Sequence, residues 1–257
     1  FNVETYDKFL SEKSTCKNLR EVCDKAKIVF ACLPTPMKKD GSCDLTILED
    51  VIYRIDLFGF QNIVVVKSTI PPGTTKAFNK KCKNTQVVFN PEFLTEANYI
   101  DDFKNQNRII IGGPRPATTI VKNMFRKVFQ EVTIIKTGSN TAEAVKYFTN
   151  CFLATKVSFA NEFKQICDEV DVDYDKVIEY ALYDQRIGRT HFSTPGPDGR
   201  KGFGGSCFPK DLNALIYVAK SLGVNPAVLS ATWEKNIEVR PERDWEQLKG
   251  RAISEDK

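Results

Sequence analysis

Histidine is almost absent from this chain: His191 is the single one in 257 residues, so no His-rich metal site can be assembled. Nor does any pair of the eight cysteines stand in CxxC spacing, and no metal is expected. Long apolar runs are missing too. None reaches the roughly 18–20 residues needed to span a bilayer, and nothing at the start reads as a signal peptide. Blocks of like charge are also lacking. The 37 basic and 33 acidic residues leave a net +4 without a basic stripe, which excludes an evident footprint for nucleic acid or an anionic membrane and favours a small-molecule partner. The cysteines, at 16, 23, 32, 43, 82, 151, 167 and 207, are too scattered for the disulfide framework of a small secreted domain. Reduced thiols in a cytoplasm are the expectation.

What is present is enough apolar sequence, 42%, for a real core and for two domains. Short β-rich runs at Lys27–Leu33, Asn62–Lys67, Gln86–Phe89, Arg108–Gly112 and Val132–Ile135 alternate with amphipathic stretches, the pattern of βα units feeding a parallel sheet. Asp44 can cap a helix that carries Leu45, Leu48, Val51, Ile52 and Ile55 on one face. Pro72 can open a second helix, and a third is expected from about Pro116 to Gln130. After Gly138 the character changes. Asn140 with Glu143 three residues on is a capping signature, and the helical pattern behind it runs to about Val170 without Gly or Pro. Further helices are expected over Tyr174–Tyr183, Leu212–Leu222 and Ala227–Val239, with a Gly/Pro-rich loop over Gly188–Ser206. The charged tail after Arg240 reads as loosely ordered. The expected organisation is therefore α/β, a partial Rossmann-type parallel sheet over residues 1–136, followed by an all-α domain over 137–257 built on a long helix that could pack against a copy of itself.

The segment richest in chemistry is Gly202-Phe-Gly-Gly-Ser-Cys207-Phe-Pro-Lys-Asp211. Glycines let a backbone approach a ligand closely, and a helix beginning at Cys207 offers its thiol unpaired N–H groups and the positive dipole end, which favours the nucleophilic thiolate. Asp211 falls one turn later on the same face. On the residues alone, a buried structural cysteine after a glycine turn is as open a reading.

This segment, preceded by Pro195-Gly-Pro-Asp-Gly199, resembles the active-site segment of the UDP-glucose dehydrogenases, within the UDP-glucose/GDP-mannose dehydrogenase family. Five other stretches agree in order. They are Leu33-Pro-Thr-Pro36 with Asp40-Gly41 and Asp44-Leu45, Lys67-Ser-Thr-Ile-Pro71, Asn90-Pro-Glu-Phe-Leu-Thr-Glu96, Arg108-Ile-Ile-Ile-Gly112, and Glu143-Ala-Val-Lys146 through Asn150. Together they cover the chain from about residue 20 to 240.

The resemblance implies oxidation of the C6 alcohol of a nucleotide-linked sugar to a carboxylate, with two NAD and one water, a step of polysaccharide biosynthesis. It gives Cys207 the part of nucleophile toward the aldehyde, and Lys146 and Asn150 the stabilisation of oxyanions. Without the resemblance, a solvated helix face is the alternative reading of those two. Glu92 resembles the base for thioester hydrolysis, and Glu96, four residues on, lines the site near the cofactor if the stretch is helical. Thr69 and Asp211 resemble a pair that holds a water for the first proton transfer. Substrate contacts are implied at Glu92, Phe93, Leu94, Glu96, Lys146, Asn150, Phe203, Gly204 and Gly205. Arg186 resembles an arginine that reaches the neighbouring subunit's substrate, with a surface salt bridge as its alternative. His191 matches no position with a role. A homodimer through the long helix follows from the same likeness.

The family's opening strand, GxGxxG turn and helix for the NAD pyrophosphate have no counterpart here, and the chain begins at Phe1 rather than Met. The expectation is a chain that starts inside the Rossmann domain and lacks a C-terminal UDP-binding domain, with Thr35, Thr69 and Glu96 as the remaining cofactor wall. Two other readings stand beside UDP-glucose oxidation. One is the same chemistry on GDP-mannose or UDP-N-acetylmannosamine, and the other a shortened, non-catalytic binding or dimerisation module.

Overall fold

The computed structural model describes residues 1–95 and 97–255, which form two compact units. One comprises Phe1–Thr35 with Leu45–Lys146, and the other Pro36–Asp44 with the chain from Tyr147 onward.

The first unit is built on five strands in the order β1 (Ile28–Ala31), β2 (Ile63–Val66), β3 (Gln86–Phe89), β4 (Arg108–Gly112), β5 (Thr133–Thr137). All five coincide with β-rich runs of the sequence to within a residue or two. β1, β2 and β3 are parallel, with Ile28 beside Ile63 and Val64 beside Val87. β4 departs from the expected all-parallel sheet. It runs antiparallel to β3, pairing at Phe89 and Gly112, and β5 then runs parallel to β4. A parallel return would need a crossover helix packed on the sheet. The helix between β3 and β4, α4 (Tyr99–Lys104), buries none of its residues and so cannot serve as one.

Alternate side chains of the buried strands supply two apolar layers, as a sheet covered on both faces requires. Val64, Val66, Val87 and Phe89 pack with α1 (Leu19–Lys25), α2 (Thr46–Leu57) and α3 (Thr74–Lys81), through Val22, Leu48, Ile52, Ile55 and Phe78. On the other face Val65, Val88, Ile109 and Ile111 meet Ala117, Val121 and Phe125 of α5 (Ala117–Arg126). Each such side chain contributes about 1.5–3 kcal/mol. The N-cap of α2 is Leu45, one residue after the Asp44 expected there.

The longest element, α6 (Ser139–Glu169), spans 31 residues, close to the uninterrupted helical pattern of the sequence. Its Glu143 does not close a local capping box with Asn140. The fully buried carboxylate instead accepts from the backbone N–H of Gly73 at 2.7 Å and of Thr75 at 2.8 Å, so it caps α3 from nearly 70 residues away. Burial pushes this carboxyl above its usual range, with those hydrogen bonds opposing.

The second unit holds α7 (Tyr174–Ala181), α8 (Phe208–Ser221) and α9 (Ala227–Val239) with the later part of α6. Residues 36–44 join it because Met37 bonds through its backbone to Ala252 and Ser254, each at 2.8 Å. The tail is correspondingly well packed, contrary to its charged composition. Trp245 is 1% exposed against Trp233, and Arg240, 2% exposed, pairs with Asp244 at 2.6 Å and Asp198 at 2.7 Å. Its charges are spent on one another and on the glycine-rich loop. Among the described residues no helix is long and apolar enough to cross a membrane.

Candidate active site

In the first unit Thr35 and Thr69 follow the carboxyl ends of the adjacent parallel strands β1 and β2. The buried Thr35 hydroxyl donates to the Thr69 carbonyl at 2.8 Å. Small polar side chains in that position suit a dinucleotide, which binds beyond the strand ends of such sheets. Residues 91–95 after β3 are not helical, so Glu92 does not sit on the helical turn that its spacing from Glu96 allowed. Glu96 itself lies outside the described residues. The Glu92 carbonyl, which a helical turn would use, is taken by Lys146 Nζ at 2.6 Å.

Lys146 is buried and also lies 5.5 Å from the centre of the Phe93 ring, whose face is shared by the Arg108 guanidinium at 4.3 Å. Leu94 is half-buried beside them. The Glu92 carboxylate is open to solvent and 3.4 Å from Lys67 Nζ. Lys67 was quoted in a motif but given no part by the sequence. Its ammonium is buried and donates to Asn90 Oδ1 at 2.7 Å, and burial holds its pKa below the usual lysine value despite the attraction of Glu92. Asn90 is fixed in turn by its amide on the Ile110 carbonyl, 2.7 Å away. No spacing rule could have found this pair, because the lysine and the asparagine come from different strands.

In the second unit Cys207 is the N-cap residue of α8, with Pro209 in the first turn, as the sequence led one to expect. Its thiol is half-buried and 3.8 Å from Ser206 Oγ. Asp211, 1% exposed, follows in that first turn. One carboxylate oxygen accepts from Asn150 Nδ2 at 2.5 Å and the other is paired with Lys210 Nζ. Lys210 went unnoticed in the sequence, where a lysine next to an aspartate carries no signal. Burial alone would pull its pKa down, but the Asp211 carboxylate outweighs that and raises it.

The glycines ahead of Cys207 serve a purpose other than the one read from sequence. A Cβ on Gly204 would fall within about 2.5 Å of Arg240 and Asp244 atoms, and one on Gly202, where φ is +67°, within 2.5 Å of Asn236 Oδ1. The close approach is to the protein's own polar side chains. Asn236 accepts from Phe203 N at 2.7 Å and donates to Phe203 O at 3.0 Å, while Asp244 accepts from Gly205 N at 3.1 Å. The Phe203 ring is buried edge-on to Phe208. The loop carrying Cys207 is therefore held at Phe203 by Asn236 of α9 and at Gly205 by Asp244 beyond it.

Arg186 is 90% exposed and forks onto Asp184. His191, at φ +71°, packs near the Phe208 ring with its Nδ1 buried and unbonded, and burial lowers its pKa below 6.5.

Residues 5–133 match the sequence profile of the UDP-glucose/GDP-mannose dehydrogenase family, NAD binding domain, and residues 140–238 that of its central domain. The chain is 38% identical over 222 residues to the UDP-glucose 6-dehydrogenase TuaD of Bacillus subtilis (strain 168), covering 83% of this chain and 47% of that protein. Among solved structures it resembles a UDP-glucose dehydrogenase from the hyperthermophilic archaeon Pyrobaculum islandicum, with TM-score 0.79 and 33% identity over 93% of this chain and 57% of the other. A GDP-mannose dehydrogenase from Pseudomonas aeruginosa follows at TM-score 0.62 and 28% identity, over 91% and 56%. The chain spans about half the length of the curated relatives it matches.

Proposed function

This chain belongs to the UDP-glucose/GDP-mannose dehydrogenase family, and from that premise we propose that it serves the NAD-dependent oxidation of UDP-glucose to UDP-glucuronate through a covalent adduct on Cys207. The observation that carries the reading is Cys207 at the start of α8, one turn before a buried Asp211 that Asn150 and Lys210 hold from both sides. A merely structural cysteine has no need of such an arrangement.

When bound, NAD would supply the hydride acceptor for both oxidations, and Thr35, Thr69 and Glu96 are the residues that would hold it. The chain's own residues do the rest. Asp211 and Thr69 hold the water that takes the C6 hydroxyl proton in the first oxidation. Cys207 Sγ then bonds to the aldehyde carbon, and the oxyanion so formed is met by the Lys146 ammonium and the Asn150 amide. The second oxidation leaves a thioester, against which Glu92 directs water, and the thiol is recovered as the carboxylate departs. One alcohol, two NAD and one water give one carboxylate, two NADH and three protons. Phe93, Leu94, Phe203, Gly204 and Gly205 contribute to the substrate wall, with domains of 1–136 and 137–257 dividing cofactor from dimer functions. Eight free cysteines suit the reducing cytoplasm.

UDP-glucose is preferred to GDP-mannose because the UDP-glucose dehydrogenase structure is the nearer of the two, at TM-score 0.79 against 0.62. The test is NADH formation by the longest reading frame that contains this chain, with UDP-glucose, GDP-mannose and UDP-N-acetylmannosamine in parallel. Two NADH per UDP-glucose are expected. No NADH with any of the three would leave a binding or dimerisation role as the better account.

A homodimer is part of the same reading. On the second-unit part of α6, Phe148, Phe152, Phe159 and Ile166 are each more than half exposed and fall on one face, with Phe148 stacked on Phe152. An apolar stripe of that length marks an interaction surface, and a second copy with Arg186 reaching the substrate is its occupant here. Light scattering should give twice the chain mass for the parent and the single chain mass for Phe159→Asp. A monomeric parent would remove the dimer.

A further inference from the structure

Gly112, at the carboxyl end of β4, pairs with Phe89 at the carboxyl end of β3 and with Thr137 of β5, and because β4 is antiparallel to β3 the chain beyond it runs back along β3, with Gly113 against Val87 and Val88. A cleft of about 200 Å³ opens there, lined by Gly113, Arg115, Thr118, Lys136, Thr137 and Gly138. Two cationic side chains from separate connections share it, and no carboxylate is among its lining residues. Arg115 is exposed and forms no hydrogen bond or ion pair among the described residues, while Lys136 Nζ has a neutral partner, Thr119 Oγ1, at 2.9 Å. Two uncompensated cations in one small cleft repel each other unless an anion joins them.

The helix starts point the same way. Just beyond Gly113 and Arg115 the chain enters the ten-residue α5, and just beyond Gly138 it enters α6, so two positive dipole ends border the cleft. Thr118 supplies an independent sign of a ligand. It is only 1% exposed, yet it lines the cleft, and its hydroxyl makes no hydrogen bond among the described residues. A hydroxyl that no protein group satisfies, on a residue otherwise packed into the core, is left to bond whatever enters the cleft. A planar guanidinium, an ammonium and a hydroxyl suit a tetrahedral oxyanion. We infer that Arg115, Lys136 and Thr118 form a binding site for a phosphate group, separate from the Cys207 chemistry. The volume suits free phosphate or the phosphate of a monoester whose remainder lies outside.

The test is calorimetric titration of the full chain with inorganic phosphate and, separately, AMP. Saturable binding at one site per chain is expected, about tenfold weaker in Arg115→Gln and in Lys136→Gln, a change that corresponds to about 1.4 kcal/mol. The near-isosteric Thr118→Val, which leaves both charges in place, should weaken it as well and covers the case in which a charge change disturbs the fold. Lys146→Met, at the carboxyl end of β1–β3, should bind phosphate like the parent. Tighter binding of AMP than of phosphate identifies a phosphomonoester, and the reverse identifies the free ion. Either supports the site. Absence of saturable binding, affinity unchanged in all three cleft variants, or loss in Lys146→Met would each overturn it.

Discussion

Cys207→Ala lowers NADH formation from UDP-glucose at least about a thousandfold in the active reading frame, a loss of roughly 4 kcal/mol of transition-state stabilisation. The size follows from the chemistry assigned to the thiol. Without Sγ the aldehyde has no covalent route to the second oxidation, and only the first equivalent of NADH can form. The positive end of α8 is at hand for negative charge developing at its start, and alanine there leaves it without a partner. Measuring NADH in a single turnover with enzyme in excess separates the cases. One equivalent per sugar with trapped aldehyde supports the assignment, whereas two equivalents at the parent's rate would remove Cys207 from the chemistry. Asp211, Asn150 and Lys210 can be intact in this variant, so its fold serves as its own control.

Glu143→Ala is expected to cost about 3 kcal/mol of stability, because it strips a fully buried carboxylate from two backbone donors at the start of α3. For a chain of this size that corresponds to a fall in Tm of roughly 6–12 °C. Amide exchange at Gly73 and Thr75 should quicken more than elsewhere in the first unit. The pH dependence has a definite sign. Burial raises the Glu143 pKa above its ordinary 4.5 in the folded state, so the stabilisation tied to its protonation is full below 4.5 and is lost as pH rises through the folded value. The difference between parent and Glu143→Ala is accordingly larger at pH 4 than at pH 8. A difference that grows with pH would mean that the carboxylate, rather than the acid, is the form the fold prefers.

Much of the fold was legible in the sequence because its signals are local. Val64, Val65 and Val66 can hardly be anything but a strand buried on both faces, and a run from Ser139 to Glu169 without Gly or Pro can hardly be anything but a helix. Cys207 was legible for the same reason, since glycines before it and Pro209 after it fix a turn into a helix. The direction of β4 was not. Strand direction depends on whether the connection packs on the sheet, and nothing in Tyr99–Lys104 alone announces that it will not.

The polar partnerships divide in the same way. Sequence by itself determined which segments become strands and helices, and that Cys207 stands where a glycine-rich loop enters a helix. Only the tertiary structure decided that Glu143 caps α3, that Asn236 and Asp244 grip the loop before Cys207, and that Arg115 and Lys136 share one cleft. Secondary structure is set by propensity and periodicity over a few neighbouring residues, whereas a buried polar group must find its partner wherever packing delivers one, often many tens of residues away.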